Sequence, residues 1–169
     1  LIFQVGIGLG ASNDLQRMKQ SFGAGMILLP AATIIGTLLF SAAGVFLLGD
    51  RSLADCLALG SGFGYYSLSS VLIADMKGAA PDAAELATIA LLANIIREMS
   101  ALFGASLFAR WGGRYAPISV AGINSMDVCL PTIVREVHDK DVVPLAVTHG
   151  MALEVSVPIL IGIFCGGFF

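Results

Sequence analysis

The sequence predicts an all-α membrane protein, a polytopic helix bundle with about five spans, one partial span and two interrupted helices. Three observations predict this class. Apolar residues make up 57% of the 169 residues and charged residues 12%, and the mean hydropathy is +0.88. The apolar residues also occur in runs of about 20, the length that crosses a bilayer as a helix. A soluble domain would interleave them with polar residues, so we expect one transmembrane domain over 1–169.

Three segments are apolar throughout and are predicted to be uninterrupted spans. Segment 23–48 tolerates Pro30, because neighbouring helices in a membrane can satisfy the backbone groups that a proline frees. Segment 84–108 is long and strongly helical. Segment 142–169 is the last of the three. LIFQVGIGLG at 1–10 is predicted to be the end of a further span whose start is absent.

Two further segments, 54–75 and 121–134, contain helix-interrupting residues. The first includes GSGFGYYSLSS at 60–70 and the second AGINSMDVCLP at 121–131. Unwound backbone inside a membrane is tolerated only when it is buried in protein or lines a water-filled cavity. Transporters place binding sites at such breaks, whereas the structural alternative is a pair of kinked packing helices.

The side on which each basic residue lies depends on the number of crossings. If every segment crosses, Lys77 lies on the side with the larger group of basic residues and Arg51 on the other. The larger group marks the cytoplasmic side, which places the C-terminus outside the cell. A re-entrant course of either interrupted segment would change this assignment.

Three polar residues, Asn94, Arg97 and Glu98, lie near the middle of segment 84–108 and share one helical face. A charge at the bilayer centre costs about 2.5–3.5 kcal/mol on insertion scales. This face is therefore predicted to contact protein, either as a buried structural network or as a functional site. The residues in register with it are small: Ala87, Ala90, Ala101, Gly104 and Ala105. The opposite, lipid-facing side is bulky: Leu92, Ile96, Met99 and Phe103.

The last segment carries His149, Glu154 and Ser156. His149 and Ser156 are seven residues apart and share a face, whereas Glu154 lies about 140° around the helix from His149. The three side chains are therefore not expected to point into one small pocket. His149 either relays protons or bonds to a broken helix.

Composition also argues against several kinds of function. The net charge of −3 comes without a long acidic or basic block, so nucleic-acid binding is not expected. Cys56, Cys129 and Cys165 lack CxxC or Cys/His spacing, so neither disulfides nor a metal site is predicted, and no cofactor is expected. No signal peptide is visible. The chain starts at Leu1 rather than at a methionine, and we expect residues to precede it.

Four motifs are specific in combination: SGFGYYSLS at 61–69, NIIREMSA at 94–101, SMDVCLP at 125–131 and HGMALEVSVPIL at 149–160. In this order and at these spacings they resemble the C-terminal half of the LysO-type lysine exporters, over essentially the whole chain. The resemblance implies a multi-pass inner-membrane transporter, one half of an inverted-repeat fold, that works as an oligomer. Its implied activity is the export of L-lysine and analogues such as thialysine by proton antiport. The resemblance therefore implies that the protein is a transporter and not an enzyme.

The resemblance also implies particular acidic residues. One intramembrane acid of the family falls on Asp127, whereas another belongs to an N-terminal half that has no counterpart in this chain. Since some members are encoded as two polypeptides, a separate N-terminal-half membrane subunit is an expected partner. Glu154 stands where family members are not regularly acidic, and it receives no family role.

The predicted site therefore centres on Asp127, which is expected to bind the cationic side chain or the exchanging proton. Glu98 supplies a second acidic group. Arg97 is expected to balance charge, to hold the substrate carboxylate, or to hold Glu98 or Asp127. The remaining predicted site residues are polar groups near the breaks and in the last span: Asn94, Asn124, Ser125, Ser67, Ser69 and His149.

Three other functions compete with this interpretation. One is a transporter of another cationic amino acid or of a sodium-coupled solute. Another is a membrane subunit that does not itself transport. The third, an intramembrane hydrolase using a serine and His149, is disfavoured because no GxSG, HExxH or GxGD motif is present.

Overall fold

The computed structural model describes residues 25–47, 49, 51–78, 80–139 and 141–166. This part of the chain is all-helical, as predicted. A 3-10 turn, Gly44–Phe46, extends the first helix, and another, Gly122–Met126, follows the fifth. The α-helices are α1 Gly25–Ala43, α2 Leu53–Gly60, α3 Tyr66–Lys77, α4 Ala83–Gly112, α5 Ala116–Ala121, α6 Leu130–Val137 and α7 Val142–Cys165.

Within the described ranges, three helices are long and apolar enough to cross a membrane: α1 with its 3-10 extension, α4 and α7. Helix α4 has the two faces that its sequence predicts. Its small residues Ala90 and Ala101 are buried, whereas Ile96 is 65% exposed and Phe103 is 84% exposed. Small side chains let neighbouring backbones approach closely inside a membrane, so the small face packs against protein and the bulky face is left for lipid.

Helices α2 and α3 form a helical hairpin, here called hairpin 1 (53–77). An ion pair between Asp55 in the first turn of α2 and Lys77 in the last turn of α3 closes its base. Ser52 caps α2, and its hydroxyl accepts from the Asp55 amide. The chain reverses at the tip, where Phe63 and Gly64 both have positive φ.

Helices α5 and α6 form a second reversal, hairpin 2 (116–137). Arg114 just before α5 lies 3.4 Å from the carboxylate of Asp139 just after α6. The tip consists of the 3-10 turn Gly122–Met126 and the residues that lead into α6. This hairpin, too, enters and leaves at the same end of the bundle.

The described residues do not confirm the prediction of about five crossings, since they contain three helices long and apolar enough to span a membrane and two hairpins. Arg51 pairs with Asp82 and Glu85, beside the Asp55–Lys77 pair. Arg51 and Lys77 consequently lie at the same end, not on opposite sides. The glycine-rich breaks reverse the chain rather than bend it. The predicted partial span at 1–10 lies outside the described residues.

The two hairpins enter from opposite ends of the bundle, and their tips meet beside the middle of α4. Hairpin 1 opens where α4 begins, since Arg51 bonds to Asp82 at 2.9 Å. Hairpin 2 opens where α4 ends, since α5 follows Gly112 after a short turn. The Ile123 amide donates to the Phe63 carbonyl at 3.0 Å, which joins the two tips. Interrupted backbone from both hairpins is thus brought to the centre of the bundle.

Candidate functional site

The hairpin tips approach each other so closely that Gly122 is required at the contact. A Cβ atom there would lie 2.1 Å from the Phe63 carbonyl oxygen. Its φ of +62° is also a conformation that L-residues with a side chain rarely adopt. This glycine therefore serves both the turn at the end of α5 and the contact between the tips.

Asn94 on α4 holds the tip of hairpin 1. Its side-chain oxygen accepts from the Gly64 amide at 2.7 Å, and its amide nitrogen donates to the Ala90 carbonyl at 2.8 Å and the Ser69 hydroxyl at 3.2 Å. The side chains of Asn94 and Ser69 are buried. Asn94 and Ser69 are among the predicted site residues. In the structure both side chains form hydrogen bonds within the protein.

A cavity of about 160 Å³ lies between the two tips, α4 and α7. Three carboxylate side chains line it: Glu98 from α4, Asp127 from hairpin 2 and Glu154 from α7. Its described lining contains no lysine, arginine or histidine. The uncharged polar lining residues are Tyr65, Tyr66, Ser67 and Asn124. The arrangement brings together three acidic groups on three different elements, and such a cavity attracts cations.

Asp127 lies where the 3-10 turn of hairpin 2 ends. One carboxylate oxygen accepts from the Val128 amide at 2.5 Å. The Asn124 carbonyl accepts from the amides of Asp127 and Cys129, at 3.3 and 2.9 Å. The non-helical turn thus holds the carboxylate at the cavity wall, half-buried and with one amide donor.

Arg97 faces away from these carboxylates. Its Nε donates to the Val120 carbonyl at 2.9 Å and its Nη2 to the Ser119 carbonyl at 3.0 Å. Within the described residues Arg97 forms no salt bridge with Glu98 or Asp127, so the expectation that it holds one of them is wrong. Successive helical residues point about 100° apart, which sends Arg97 and Glu98 to different sides of the tips.

His149 is fully buried and joins hairpin 2 to α1. Ser125 donates to the Ala146 carbonyl at 2.9 Å, which leaves its oxygen to accept from His149 Nδ1 at 3.2 Å. His149 Nε2 then accepts from the Thr33 hydroxyl at 3.1 Å, and Ser119 lies 2.7 Å beyond Thr33. His149 and Ser125 are therefore placed in a hydrogen-bonded chain on the side of the tips away from Glu154.

Three polar residues that line the cavity received no role from the sequence: Tyr65, Tyr66 and Glu154. A signal for Glu154 exists in its spacing from Gly150, because residues four apart lie on one helical face. A Cβ on Gly150 would lie 2.7 Å from Met126 of hairpin 2, so that face of α7 packs on the tip. Across the described residues no group of His, Cys, Asp and Glu side chains could hold a metal ion.

Comparison with known proteins places the chain in a family. The sequence profile described as "Lysine exporter LysO" matches residues 1–165. The "Lysine exporter LysO" of Escherichia coli K12 is 32% identical over 166 residues, which cover 97% of this chain and 52% of that protein. The "Putative lysine exporter" of Haemophilus influenzae is 29% identical over 164 residues, which cover 97% of this chain and 80% of that protein.

No solved structure matches the chain. The chain spans about half of the length of the relative from Escherichia coli and most of the one from Haemophilus influenzae. The family profile covers nearly every residue, including both hairpins and the three carboxylates of the cavity. This chain therefore belongs to the LysO family of lysine exporters.

Proposed function

We propose that the chain exports L-lysine, and analogues such as thialysine, across the inner membrane in exchange for protons. The observation that carries the proposal is the cavity where Glu98, Asp127 and Glu154 meet at the tips of two opposed hairpins. An ammonium group that leaves water needs charged or polar partners. Three carboxylates with no basic residue in the described lining supply them for a cation.

Asp127 is the proposed coupling residue. A carboxylate that holds either a proton or the substrate ammonium, but not both, links the two movements in opposite directions. Asp127 suits this role because it lies on interrupted backbone, with one amide donor to a carboxylate oxygen. Glu98 and Glu154 supply further negative charge, and Ser67 and Asn124 supply neutral polar contacts.

The proposed transport cycle uses the opposed hairpins. Hairpin 1 with α4 and hairpin 2 with α7 have opposite directions relative to the bundle, which supports an inverted repeat. Transporters with such repeats bind substrate at broken helices near the midplane and expose the site alternately to either side. Since this chain spans about half of one relative, we further propose that an N-terminal half, in the same or a separate polypeptide, completes an oligomeric transporter.

The test is transport by the complete natural protein in proteoliposomes with an imposed pH gradient. Asp127→Asn should reduce proton-driven lysine transport at least about 100-fold, since the neutral amide cannot exchange a proton for an ammonium group. The matched control is Asp75→Asn, which makes the same change at an exposed position on α3. Equal incorporation of both variants into the membrane is checked by quantitative immunoblotting.

Normal transport by Asp127→Asn would contradict the proposal. The coupling ion is tested by imposing sodium and pH gradients separately. Transport that follows the sodium gradient alone would replace proton antiport with sodium coupling. Competition by a panel of cationic amino acids determines the cargo, and an inhibitor stronger than lysine would identify a different native substrate.

A further inference from the structure

A second, larger cavity lies on the opposite side of the hairpin tips from the three carboxylates. This cleft of about 680 Å³ is bounded by α1 and by the end of α5, and Arg97 forms part of its wall. None of its described lining residues is acidic. The hydroxyl groups that line it belong to Thr33, Thr37, Ser41 and Ser119.

Arg97 has hydrogen-bonding capacity left over in this cleft. A guanidinium carries five N–H donors, and the carbonyls of Ser119 and Val120 accept one from Nη2 and one from Nε. The Phe63 ring lies 6.0 Å from the guanidinium carbon. These contacts fix the position of the planar group, while both donors of Nη1 and one of Nη2 have no acceptor among the described residues.

The charge of Arg97 has no acidic partner among the described residues. Arg97 lies in the middle of α4, where a charge exposed to lipid is costly. A buried charge without a partner is likewise strongly destabilising. The described residues provide carbonyls and hydroxyls to the guanidinium but no carboxylate. The two cavities flanking the tips therefore have opposite character, one acidic and one basic.

We propose that the cleft is a separate carboxylate subsite, in which Arg97 binds the α-carboxylate of the transported amino acid at a different step from the one in which the acidic cavity holds its ammonium group. This inference rests on the proposed function and adds a criterion for the substrate. The recognised class is an α-amino acid with a free carboxylate, and the corresponding diamine is rejected. The planar fork of arginine matches a carboxylate with two parallel hydrogen bonds, and the contacts to Ser119 and Val120 hold that fork in place.

The experiment compares ligands that differ only at the carboxyl end. Binding of L-lysine, L-lysine methyl ester and cadaverine to the complete purified protein is measured by isothermal titration calorimetry. The wild type should bind lysine about 10-fold to 100-fold more tightly than the ester or cadaverine, since hydrogen bonds to a charged group are lost in both. Equal affinity for all three ligands would overturn the proposal without any variant.

The variants separate substrate recognition from a structural role. Arg97→Gln should lower lysine affinity to the level of cadaverine and leave cadaverine affinity unchanged. Arg97→Lys, which keeps the charge without the fork, should retain part of the preference. The control is Arg110→Gln, the same change at an exposed position on α4, and it should alter neither affinity.

An equal loss for lysine and cadaverine in Arg97→Gln would overturn the proposal, since it would mean that Arg97 pairs with a protein carboxylate or only holds α5. If Arg97→Gln does not fold, the wild-type comparison of lysine with its ester still decides. A different result is expected if the proposed function is wrong. In that case the wild type does not bind lysine at all, and Asp127→Asn changes nothing.

Discussion

At the residue scale, two residues that do not line the acidic cavity position those that do. Asn94 bonds to the tip of hairpin 1, and Gly122 allows the tip of hairpin 2 to come against it. The carboxylates of Glu98 and Asp127 line one cavity because these two contacts bring α4 and both tips together. The predicted site residues thus form three groups: those that line the acidic cavity, those that hold the tip of hairpin 1, and those on the other side of the tips, namely Arg97, Ser125 and His149.

Gly122→Ala should destabilise the protein by about 1–3 kcal/mol, because a side chain is forced into a rarely populated backbone conformation and against the Phe63 carbonyl. Thermal unfolding in detergent, followed by circular dichroism, measures the change. Gly44→Ala is the matched control, since a Cβ there meets nothing within 4 Å, and its unfolding temperature should be nearly that of the wild type. Equal stability of the two variants would contradict the tip contact.

At the element scale, each hairpin is closed at its base by an ion pair, but the two pairs differ in environment. Asp55 is buried and pairs with Lys77, whereas Arg114, which pairs with Asp139, is half-exposed. Burial alone would raise the pKa of the Asp55 carboxyl. The Lys77 ammonium and the Ser52 hydroxyl outweigh that effect and hold the pKa below its usual 3.8. The Asp55–Lys77 pair is therefore expected to contribute more stability than the Arg114–Asp139 pair.

Asp55→Asn should lower the stability at neutral pH by about 1–3 kcal/mol, because a charged hydrogen-bonded partner of Lys77 is lost. Asp139→Asn, at the more exposed pair, should cost less than about 1 kcal/mol. Chemical denaturation of both variants measures the difference. A larger effect at Asp139 would contradict the ranking.

The lowered pKa of Asp55 predicts that the contribution of the Asp55–Lys77 pair to stability depends on pH. A folded-state pKa below the unfolded value gives stability that is full above the unfolded pKa and is lost as the pH falls through the folded value. The stability difference between wild type and Asp55→Asn should therefore be constant near neutral pH and shrink below about pH 4. A difference that stays the same down to pH 3 would exclude the ionised Asp55 as its source.

At the scale of the whole molecule, the hairpins determine the membrane topology. In the described residues, three helices long enough to span a membrane and two re-entrant hairpins would put both ends of each hairpin on one side. Five crossings would put the two ends of each interrupted segment on opposite sides. Re-entrant backbone is tolerated at this depth because it is buried in protein or lines a cavity, and both conditions are met at the paired tips.

Cysteine labelling with a membrane-impermeant maleimide distinguishes the two topologies. Leu53→Cys and Met76→Cys, each in a background with Cys165→Ser, should react from the same side of oriented vesicles. Trp111→Cys and Arg135→Cys should react from the other side. All four positions are exposed, whereas Cys56 and Cys129 are buried. Reaction of Leu53→Cys and Met76→Cys from opposite sides would exclude hairpin 1.

Short stretches of the sequence predict much of the fold and of the candidate site. Apolar runs identify α1, α4 and α7, because a span must be apolar over its whole length. The three-to-four spacing of polar and small residues correctly predicts which face of α4 is buried. Glycine, proline and polar residues mark both breaks, and Asp127 and Glu98 stand out as acids where water is excluded. Each of these properties is local, so the residue order alone carries it.

The rest depends on contacts between residues far apart in the chain. A kinked span and a hairpin use the same glycines, and it is the Asp55–Lys77 ion pair and the contact of Phe63 with Ile123 that distinguish them. Arg97 and Glu98 are neighbours in sequence but line different cavities, because the tips pass between them. Glu154 joins the acidic group only through the packing of α7 on hairpin 2. These groups come together only when distant parts of the chain pack against one another. A local sequence pattern cannot predict such contacts.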